Sequence, residues 1–394
     1  MTFFLYNRLK LICFCARIRY MNNLKILFIS RAYPPTVGGI ENQNYELATW
    51  LGEIAEIKII ANTRGRKFLP VFAPYALLRA LFLMPRYDAL LIGDGTLAIL
   101  SWIIKLFYKK PTLCVVHGLD INYGSSSLGV WYEKILIKLY QTFWIGVFIK
   151  SFDKLIAVGN ETIKVGIEKN IPAEKFVFIP NGVDTEKHLV QATQTDLEKI
   201  IGKSTADKKV LMTSGRLAKR KGVAWFISNV MPKLDENFLY VVAGAGPDKE
   251  NISQAIKNNR LENRVAMLGY IPDEDRNILW ATADLFVQPN IKIAGDMEGF
   301  GISVIEAGAC RLPVLASNME GLKDAIKEGK NGFLVESENA EAYVQKINEL
   351  FTNGSPRETY GQKVRDFVIE NYQWKRISQI YLSEIEKAIN NKRS

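Results

Sequence analysis

The sequence predicts an α/β protein built from two doubly wound domains, and two observations support this prediction. Short, almost continuously apolar runs alternate with segments of helical length, which is typical of parallel strands buried on both faces of a sheet. The alternation occurs in two successive series, separated by a polar stretch over residues 184–204. Each series can form its own sheet with helices on both faces, and 394 residues suffice for two such domains.

The first series predicts a domain over residues 21–190. Its predicted strands are 25–30, 57–61, 89–93, 112–117, 154–158 and 176–179. Its predicted helices include 41–51, 96–107 and 130–149. Because ligands of open parallel sheets bind beyond the carboxyl ends of the strands, the residues that follow each strand are the first candidates for function.

The second series predicts a domain over residues 200–372. Its predicted strands are 209–213, 238–243, 264–268, 284–287 and 314–316, and its helices include 222–234 and 301–309. The remaining segment, residues 373–394, contains an amphipathic pattern from Trp374 to Ile389 that predicts a terminal helix.

The net charge of +10 is concentrated in the front half of the chain. Residues 1–190 hold 23 Lys and Arg against 14 Asp and Glu, a balance of +9, whereas the other 204 residues hold 28 against 27, or +1. Such asymmetry indicates a polyanionic partner of the first domain, either a nucleic acid or an anionic membrane surface.

The first 20 residues admit three interpretations. Their apolar pieces are interrupted by Arg8, Lys10, Arg17 and Arg19, which disfavours a secretory signal. Since Met21 directly precedes the first predicted strand, the segment is an extension upstream of the true start, a membrane-surface arm, or a processed signal. No run of 18 apolar residues occurs, so the sequence predicts no spanning helix.

The four cysteines, Cys13, Cys15, Cys114 and Cys310, are too few and too scattered for a disulfide framework or a zinc ribbon. We therefore expect reduced thiols in a cytosolic protein.

Two features of the first domain follow predicted strands. Gly38 and Gly39 precede a predicted helix. Glycine lets the backbone approach a ligand closely, and the N-terminus of a helix attracts phosphate, so the segment is a candidate ligand-binding loop. The alternative is an ordinary turn between strand and helix. The segment is not GxGxxG, and no acidic residue about 20 positions on is a convincing ribose ligand, which disfavours a nicotinamide cofactor. His117 ends the fourth predicted strand. There it could donate a hydrogen bond to a sugar hydroxyl or to a developing charge, or it could be a structural histidine whose hydrogen bonds are made within the protein. His188, in the polar boundary segment, is expected to be solvated.

A basic loop follows the first strand of the second domain. Arg216 and Lys221 lie five residues apart between Gly215 and Gly222, at the start of a helix. Two cations at a helix N-terminus favour a diphosphate, with arginine as a bidentate fork and lysine as a point charge. The neighbouring Lys219 and Arg220 are expected to form a solvated face.

The segment 296–308 carries the densest signal. Glu298 lies in a glycine-rich loop and Glu306 lies eight residues later in an otherwise apolar helix. A carboxylate in such surroundings must accept strong hydrogen bonds, which sugar or ribose hydroxyls supply. The backbone N–H groups of Phe300, Gly301 and Ile302 precede the helix and are available to an anion.

Taken together, these loops give a resemblance that covers nearly the whole chain from Met21. Its motifs are Gly38-Gly39, His117-Gly118, Asn181-Gly182-Val183-Asp184, Gly215-Arg216-Leu217 with Lys221-Gly222, Gly244-Ala245-Gly246-Pro247, and the Glu298/Glu306 pair. With them the chain resembles retaining glycosyltransferases of family 4, which have the GT-B fold. The resemblance implies two Rossmann-like domains facing across a cleft, with the terminal helix crossing back to the first domain.

The resemblance also implies roles for the residues. Arg216 and Lys221 would clamp the donor diphosphate, assisted by Gly215, the amides at 300–302 and the Gly38-Gly39 loop. Glu298 would hold the transferred sugar, Glu306 the donor ribose, and His117 would contact the sugar near the reacting carbon. The family needs no metal or other cofactor, and we expect none here.

The expected partners are a UDP- or GDP-sugar donor and a lipid-linked or saccharide acceptor. No nucleic-acid motif accompanies the basic charge, so we expect no nucleic acid and, instead, a cytoplasmic protein that can lie on the inner face of the membrane. Candidate lipid contacts are Arg64, Arg66, Lys67, Trp131, Lys134, Lys138 and Tyr140. A sugar-nucleotide epimerase of the same fold and an inactive glycan- or lipid-binding paralogue are the alternatives.

Overall fold

The computed structural model describes residues 24–36, 38–118, 121 and 141–393. The chain forms two compact units: the first runs to Ile179 and takes in the chain again from Trp374, and the second is Pro180–Gln373. The predictions for residues 1–20, for Cys13 and Cys15, for the first part of the helix at 130–149 and for Trp131, Lys134, Lys138 and Tyr140 lie outside the described residues.

The first unit contains a parallel six-stranded sheet in the order β2-β1-β3-β4-β5-β6. Its strands are β1 Lys25–Ser30, β2 Glu56–Ala61, β3 Ala89–Ile92, β4 Thr112–Val116, β5 Lys154–Ala157 and β6 Phe176–Phe178. The central strands are buried on both faces, as their continuous apolar sequences predict. Three of the six residues of the edge strand β2 are exposed, and two of these, Glu56 and Lys58, are charged.

Helices cover both faces of this sheet. They are α1 Gly39–Gly52, α2 Leu69–Leu83, α3 Ala98–Phe107, α4 Asn160–Glu168 and the terminal helix α13 Trp374–Arg393. Short 3₁₀ turns occupy Arg66–Phe68, Met84–Arg86, Gly95–Leu97, Ile149–Ser151 and Ala173–Lys175, and Gln141–Phe148 forms a π-helical segment. The predicted terminal helix packs on α1 and buries Ile377, Tyr381 and Ile385.

The second unit contains another parallel six-stranded sheet, in the order β12-β11-β10-β7-β8-β9. Its strands are β7 Lys209–Ser214, β8 Phe238–Ala243, β9 Val265–Gly269, β10 Leu285–Gln288, β11 Val314–Ser317 and β12 Phe333–Val335. The prediction missed β12. The predicted α/β class with two doubly wound sheets is confirmed.

The helices of the second unit are α5 Gln194–Ile201, α6 Val223–Asn229, α7 Lys249–Asn258, α8 Asp273–Thr282, α9 Ile302–Ala309, α10 Leu322–Ala325, α11 Ala340–Leu350 and α12 Pro356–Tyr372. Short 3₁₀ turns occupy Lys219–Lys221 and Met231–Lys233. The helix predicted over 222–234 is therefore shorter than expected, because Pro232 has no N–H to continue an α-helix and opens a 3₁₀ turn instead.

Each strand order fixes one position at which connections leave in opposite directions. In the first unit this topological switch point lies between β1 and β3, and in the second between β7 and β10. Loops that follow the two strands diverge there and leave a crevice in which ligands of open α/β sheets bind. The loops after β1, β3, β7 and β10 are thus the places to seek function.

The terminal helix offers a test of the first unit. Ile385→Ala removes a fully buried side chain, so we expect it to lower the free energy of unfolding by about 2–5 kcal/mol. Asn390→Ala, at an exposed position of the same helix, should leave that value nearly unchanged. Urea unfolding followed by circular dichroism measures both, and equal stabilities of the two variants would contradict the packing of α13 described above.

Candidate functional site

Two loops meet at the switch point of the second unit. The loop after β7 runs over residues 215–222, and the loop after β10 runs over 289–301. The Ile291 N–H donates to the Arg220 carbonyl oxygen at 2.9 Å. Gly222 has a φ of +66°, and a Cβ at that position would lie 1.8 Å from the Pro289 carbonyl oxygen. Only glycine therefore allows the loops to approach this closely.

A buried ion pair joins the same two loops. Lys221 Nζ lies 2.6 Å from Glu298 Oε2, and the two side chains are 11% and 10% exposed. The Asn290 amide donates to the same carboxylate oxygen at 3.2 Å, and Arg220 Nε lies 3.7 Å from it. All three contacts reach Oε2, and within the described part of the chain none is made to Oε1. Glu298 therefore keeps one oxygen as an acceptor.

These contacts determine the charge of Glu298. Burial alone would raise the pKa of this carboxyl, but the positive charges of Lys221 and Arg220 outweigh burial and lower the pKa to about 2. Glu298 is therefore a carboxylate at neutral pH. The Lys221 ammonium has three N–H donors, of which Glu298 takes one, so the pair retains donors for an anion.

Arg216 lies beside this pair in sequence but differs in environment. Its side chain is exposed, two residues beyond the end of β7, and no carboxylate of the described residues forms an ion pair with it. Lys219 is exposed, as predicted. The same prediction was wrong for Arg220, which is largely buried and lies 3.4 Å from Asp296 and 3.7 Å from Glu298, since this guanidinium helps neutralise the carboxylates of the second loop.

The second loop ends at the start of α9. Gly301 has a φ of +87°, and its carbonyl accepts from the Val304 N–H at 3.0 Å, so the N–H groups of Phe300, Gly301 and Ile302 precede the first helical turn. The Phe300 ring is buried and packs edge-on against Tyr372, with 5.9 Å between ring centroids. This packing anchors the loop and fixes the direction of its amides.

Glu306 lies within α9 and is only 17% exposed, as its apolar surroundings predict. Its neighbour is His188, whose Nε2 is 3.9 Å from the Glu306 carboxylate. The expectation that His188 is solvated was wrong. The ring is buried, with Nδ1 3.0 Å from Asn277 Oδ1, and it lies perpendicular to the Trp280 ring with 5.2 Å between centroids.

The thiol of Cys310 belongs to the same buried region. It donates to the His188 carbonyl oxygen at 3.2 Å, and burial raises its pKa to about 12. Cys310 is therefore an unreactive structural thiol. Cys114 is also a buried thiol.

In the first unit, His117 directly follows β4, which ends one residue earlier than the predicted strand, and its ring is buried. Its Nε2 lies 3.0 Å from the Gly93 carbonyl oxygen. Because a carbonyl can only accept, Nε2 carries a proton and acts as the donor. In the neutral tautomer with its proton on Nε2, Nδ1 of His117 is a hydrogen-bond acceptor.

The loops at the switch point of the first unit are also joined by an ion pair. Arg31, directly after β1, places Nε 2.8 Å from Asp94 Oδ1, and Asp94 follows β3 and is fully buried. Gly38 is extended and precedes α1. The Glu41 carboxylate lies against Gly38, since a Cβ there would be 2.2 Å from Glu41 Oε2. Gly39 is the first residue of the helix.

Within the described residues, no group of three or more His, Cys, Asp or Glu side chains is arranged to hold a metal ion.

Comparison with known proteins assigns the chain to a family. The family described as "Glycosyltransferase Family 4" matches residues 37–187, and "Glycosyl transferases group 1" matches residues 195–367. Together the two matches cover both units. The chain belongs to glycosyltransferase family 4.

Two relatives and one solved structure illustrate the similarity. An Escherichia coli UDP-Gal:alpha-D-GlcNAc-diphosphoundecaprenol alpha-1,3-galactosyltransferase is 27% identical over 314 residues, 77% of each chain. A GDP-mannose-dependent alpha-(1-6)-phosphatidylinositol monomannoside mannosyltransferase of Mycolicibacterium smegmatis is 27% identical over 210 residues, 52% of this chain and 54% of the relative. The Anabaena HepE protein, solved with UDP-glucose, shares the fold with a TM-score of 0.70 at 19% identity and covers 93% of this chain and 100% of its own.

The structure of this family 4 glycosyltransferase also identifies residues that the sequence analysis missed. Asn290 is buried, donates to Glu298, and its carbonyl accepts from Ser317 Oγ at 2.6 Å and Ser337 Oγ at 2.8 Å. Its position two residues after β10 is the signal that could have identified it. Arg31 and Asp94 follow β1 and β3 in the same way.

The depressed pKa of Glu298 makes a prediction about stability. A carboxyl with a lowered pKa stabilises the fold at pH values above its ordinary pKa of 4.5. This contribution to stability is lost as the pH falls toward the pKa in the folded protein, about 2. Lys221→Met removes the main charge that lowers the pKa, so we expect a loss of about 3 kcal/mol at pH 7 that shrinks as the pH approaches 2.

Urea unfolding as a function of pH measures this difference. Lys219→Met, in the same loop but exposed, is the matched control and should unfold like the wild type. A loss of stability in Lys221→Met that does not depend on pH would show that Lys221 acts through packing rather than through its charge on Glu298.

Proposed function

We propose that this family 4 glycosyltransferase transfers a sugar from a nucleotide-diphosphate-sugar to a lipid-linked or saccharide acceptor, with retention of the anomeric configuration and without a metal. The observation that carries the proposal is the buried Lys221–Glu298 pair at the switch point of the second unit. It combines a cation for phosphate with a charged acceptor for sugar hydroxyls in one place.

The donor diphosphate would bind to three groups. Arg216 is exposed and has a guanidinium fork that matches two phosphate oxygens. Lys221 retains N–H donors beyond the one that Glu298 occupies. The N–H groups of residues 300–302 lie at the positive end of α9. Together they would stabilise the charge that develops on the departing nucleotide.

The hydroxyls of the donor would bind to the two glutamates. Glu298 offers Oε1 to the transferred sugar, since its other oxygen is taken by Lys221, Asn290 and Arg220. Glu306 offers a partly exposed carboxylate to the ribose, and His188 lies behind it. Both assignments rest on charge and burial: each carboxylate is close to a basic side chain and retains acceptor capacity.

The reaction would proceed on one face of the sugar. The bond between the anomeric carbon and the leaving phosphate oxygen breaks, and the acceptor oxygen forms its bond to the same face. The acceptor proton passes to the leaving phosphate, so no protein base is needed. In this scheme Arg216 and Lys221 stabilise the leaving group, and His117 contacts the sugar near the reacting carbon.

The relatives support a lipid-linked acceptor. One is named for a diphosphoundecaprenol-linked substrate and another for a phosphatidylinositol mannoside. One uses a UDP-sugar and the other a GDP-sugar, so both nucleotides are candidates here. We propose a role in envelope glycolipid or polysaccharide synthesis, with the protein on the cytoplasmic side of the membrane.

A panel of UDP- and GDP-sugars tests the donor. In the presence of EDTA, we expect one of them to be hydrolysed slowly without an acceptor and to be used rapidly when an acceptor is added. NMR of the product should show that the anomeric configuration is retained. Interconversion of the free sugar nucleotide without transfer would identify an epimerase. Absence of turnover with every donor would indicate a binding paralogue.

The site assignment predicts the effect of substitutions. Glu306→Ala and Lys221→Ala should each reduce transfer at least about 100-fold, the loss typical of one preorganised charged contact. Lys219→Ala is the control and should keep wild-type turnover, since its side chain is exposed. Steady-state kinetics on variants shown to be folded by circular dichroism decides the question, and near wild-type turnover of Glu306→Ala would contradict the assignment.

A further inference from the structure

Helix α2 of the first unit is apolar on two different faces. One face buries Phe72, Ala76 and Ala80 against the core of the unit. The other face carries four large apolar side chains, each more than half exposed, at intervals of four, three and four residues: Val71, Tyr75, Leu78 and Phe82. This spacing places the four side chains in one stripe along the helix.

Elements packed next to α2 also expose apolar side chains. Helix α3 packs beside α2, and Tyr108 at its end donates to the Leu81 carbonyl oxygen at 2.8 Å. The π-helical segment packs on α3, with the Trp144 indole N–H donating to the Gly95 carbonyl oxygen at 3.0 Å. The large exposed apolar side chains of the three elements, here named the apolar face, are Val71, Tyr75, Leu78, Phe82, Trp102, Leu106, Phe107, Phe143 and Val147. Exposed apolar surface of this extent marks an interaction site.

Cations occur in the same segments of the chain as the apolar face. Residues 57–87 contain six Lys and Arg and no Asp or Glu, and residues 95–119 contain three Lys and again no acidic residue. Their exposed members are Lys58, Arg64, Arg66, Lys67, Arg79, Arg86 and Lys109. Arg86 lies over the Phe82 ring at 5.5 Å, so charge and apolar surface are directly adjacent. Apolar side chains bordered by cations are the composition of a surface that lies on anionic lipid.

The region does not fit a membrane-spanning helix. The segment Arg66–Arg86 is long and apolar enough to cross a membrane, with a mean hydropathy of 1.6 over 18 of its residues. It contains no run of 18 apolar residues, because Arg79 interrupts it. However, Phe72, Ala76 and Ala80 belong to the core that packs on the sheet. A helix held there by one face can present only its other face to lipid, so it lies on a bilayer rather than across it.

We propose that the apolar face docks on the surface of an anionic bilayer, with its aromatic and aliphatic side chains at the boundary between headgroups and acyl chains and its cations on the lipid phosphates. A second copy of the chain is the less favourable occupant, because a symmetric contact would bring the same cations against each other. The proposal needs no substrate and is independent of the proposed function.

Vesicle sedimentation of the full chain tests the proposal. We expect binding to phosphatidylcholine vesicles that contain phosphatidylglycerol, weaker binding to pure phosphatidylcholine, and release by salt. Leu78→Glu/Phe82→Glu should weaken binding at least about tenfold, since it places carboxylates where apolar side chains meet lipid. Tyr270→Glu, at an equally exposed aromatic side chain of the second unit, is the control and should bind like the wild type.

A second pair of variants separates charge from apolar contact. Arg66→Ala/Lys67→Ala should reduce binding to anionic vesicles at least about tenfold and leave binding to neutral vesicles unchanged. Lys327→Ala/Lys330→Ala, exposed cations of the second unit, should have no effect. Donor hydrolysis without vesicles should be the same in all variants, which separates this proposal from the proposed function.

Three results would overturn the proposal. The first is the absence of any preference for anionic over neutral vesicles. The second is full binding by Leu78→Glu/Phe82→Glu, which would assign lipid binding to another part of the chain. The third is a dimer in sedimentation velocity that this variant dissociates, together with no vesicle binding, which would identify a second copy as the occupant.

Discussion

The buried ion pair between Lys221 and Glu298 is the interaction on which the organisation of the second unit's site depends. It ties the loop after β7 to the loop after β10, at the one place in the sheet where the connections diverge. Removing either partner would leave a buried charge without compensation, which costs several kcal/mol. The pair therefore holds both loops in position before any ligand arrives, and Gly222 permits the close approach that the pair requires.

The first unit uses the same arrangement with different residues. Arg31 and Asp94 follow β1 and β3, and their ion pair joins the two loops at that unit's switch point. In each unit a charged pair thus takes the place of apolar packing where a crevice must stay open to polar ligands. Charges fixed in advance cost little reorganisation during a reaction, which is what stabilisation of a departing diphosphate needs.

The sequence predicted the strands well and the polar partners poorly, for a physical reason. A strand such as Val314–Ser317 shows its burial in its own residues, whereas the burial of a charged side chain depends on partners far along the chain. Arg220 and Asp296 are 76 residues apart, and His188 and Asn277 are 89 apart. The position after a strand suggested Arg216 and Lys221, and the glycine-rich segment suggested Glu298, but no local pattern indicated that Lys221 and Glu298 form a pair. The sequence analysis did not predict the exposed stripe on α2, because Leu69–Leu83 is apolar except for Arg79 and its sequence does not distinguish the core face from the outer face.

Hydrogen exchange of the full chain with and without UDP or GDP tests most directly whether the switch point of the second unit is the diphosphate site. With the nucleotide that binds, we predict slower exchange of the amides at 216–222 and 298–306, and unchanged exchange in α7, Lys249–Asn258, on the same unit. Nucleotide binding that leaves the amides at 216–222 and 298–306 unprotected would show that the diphosphate binds elsewhere.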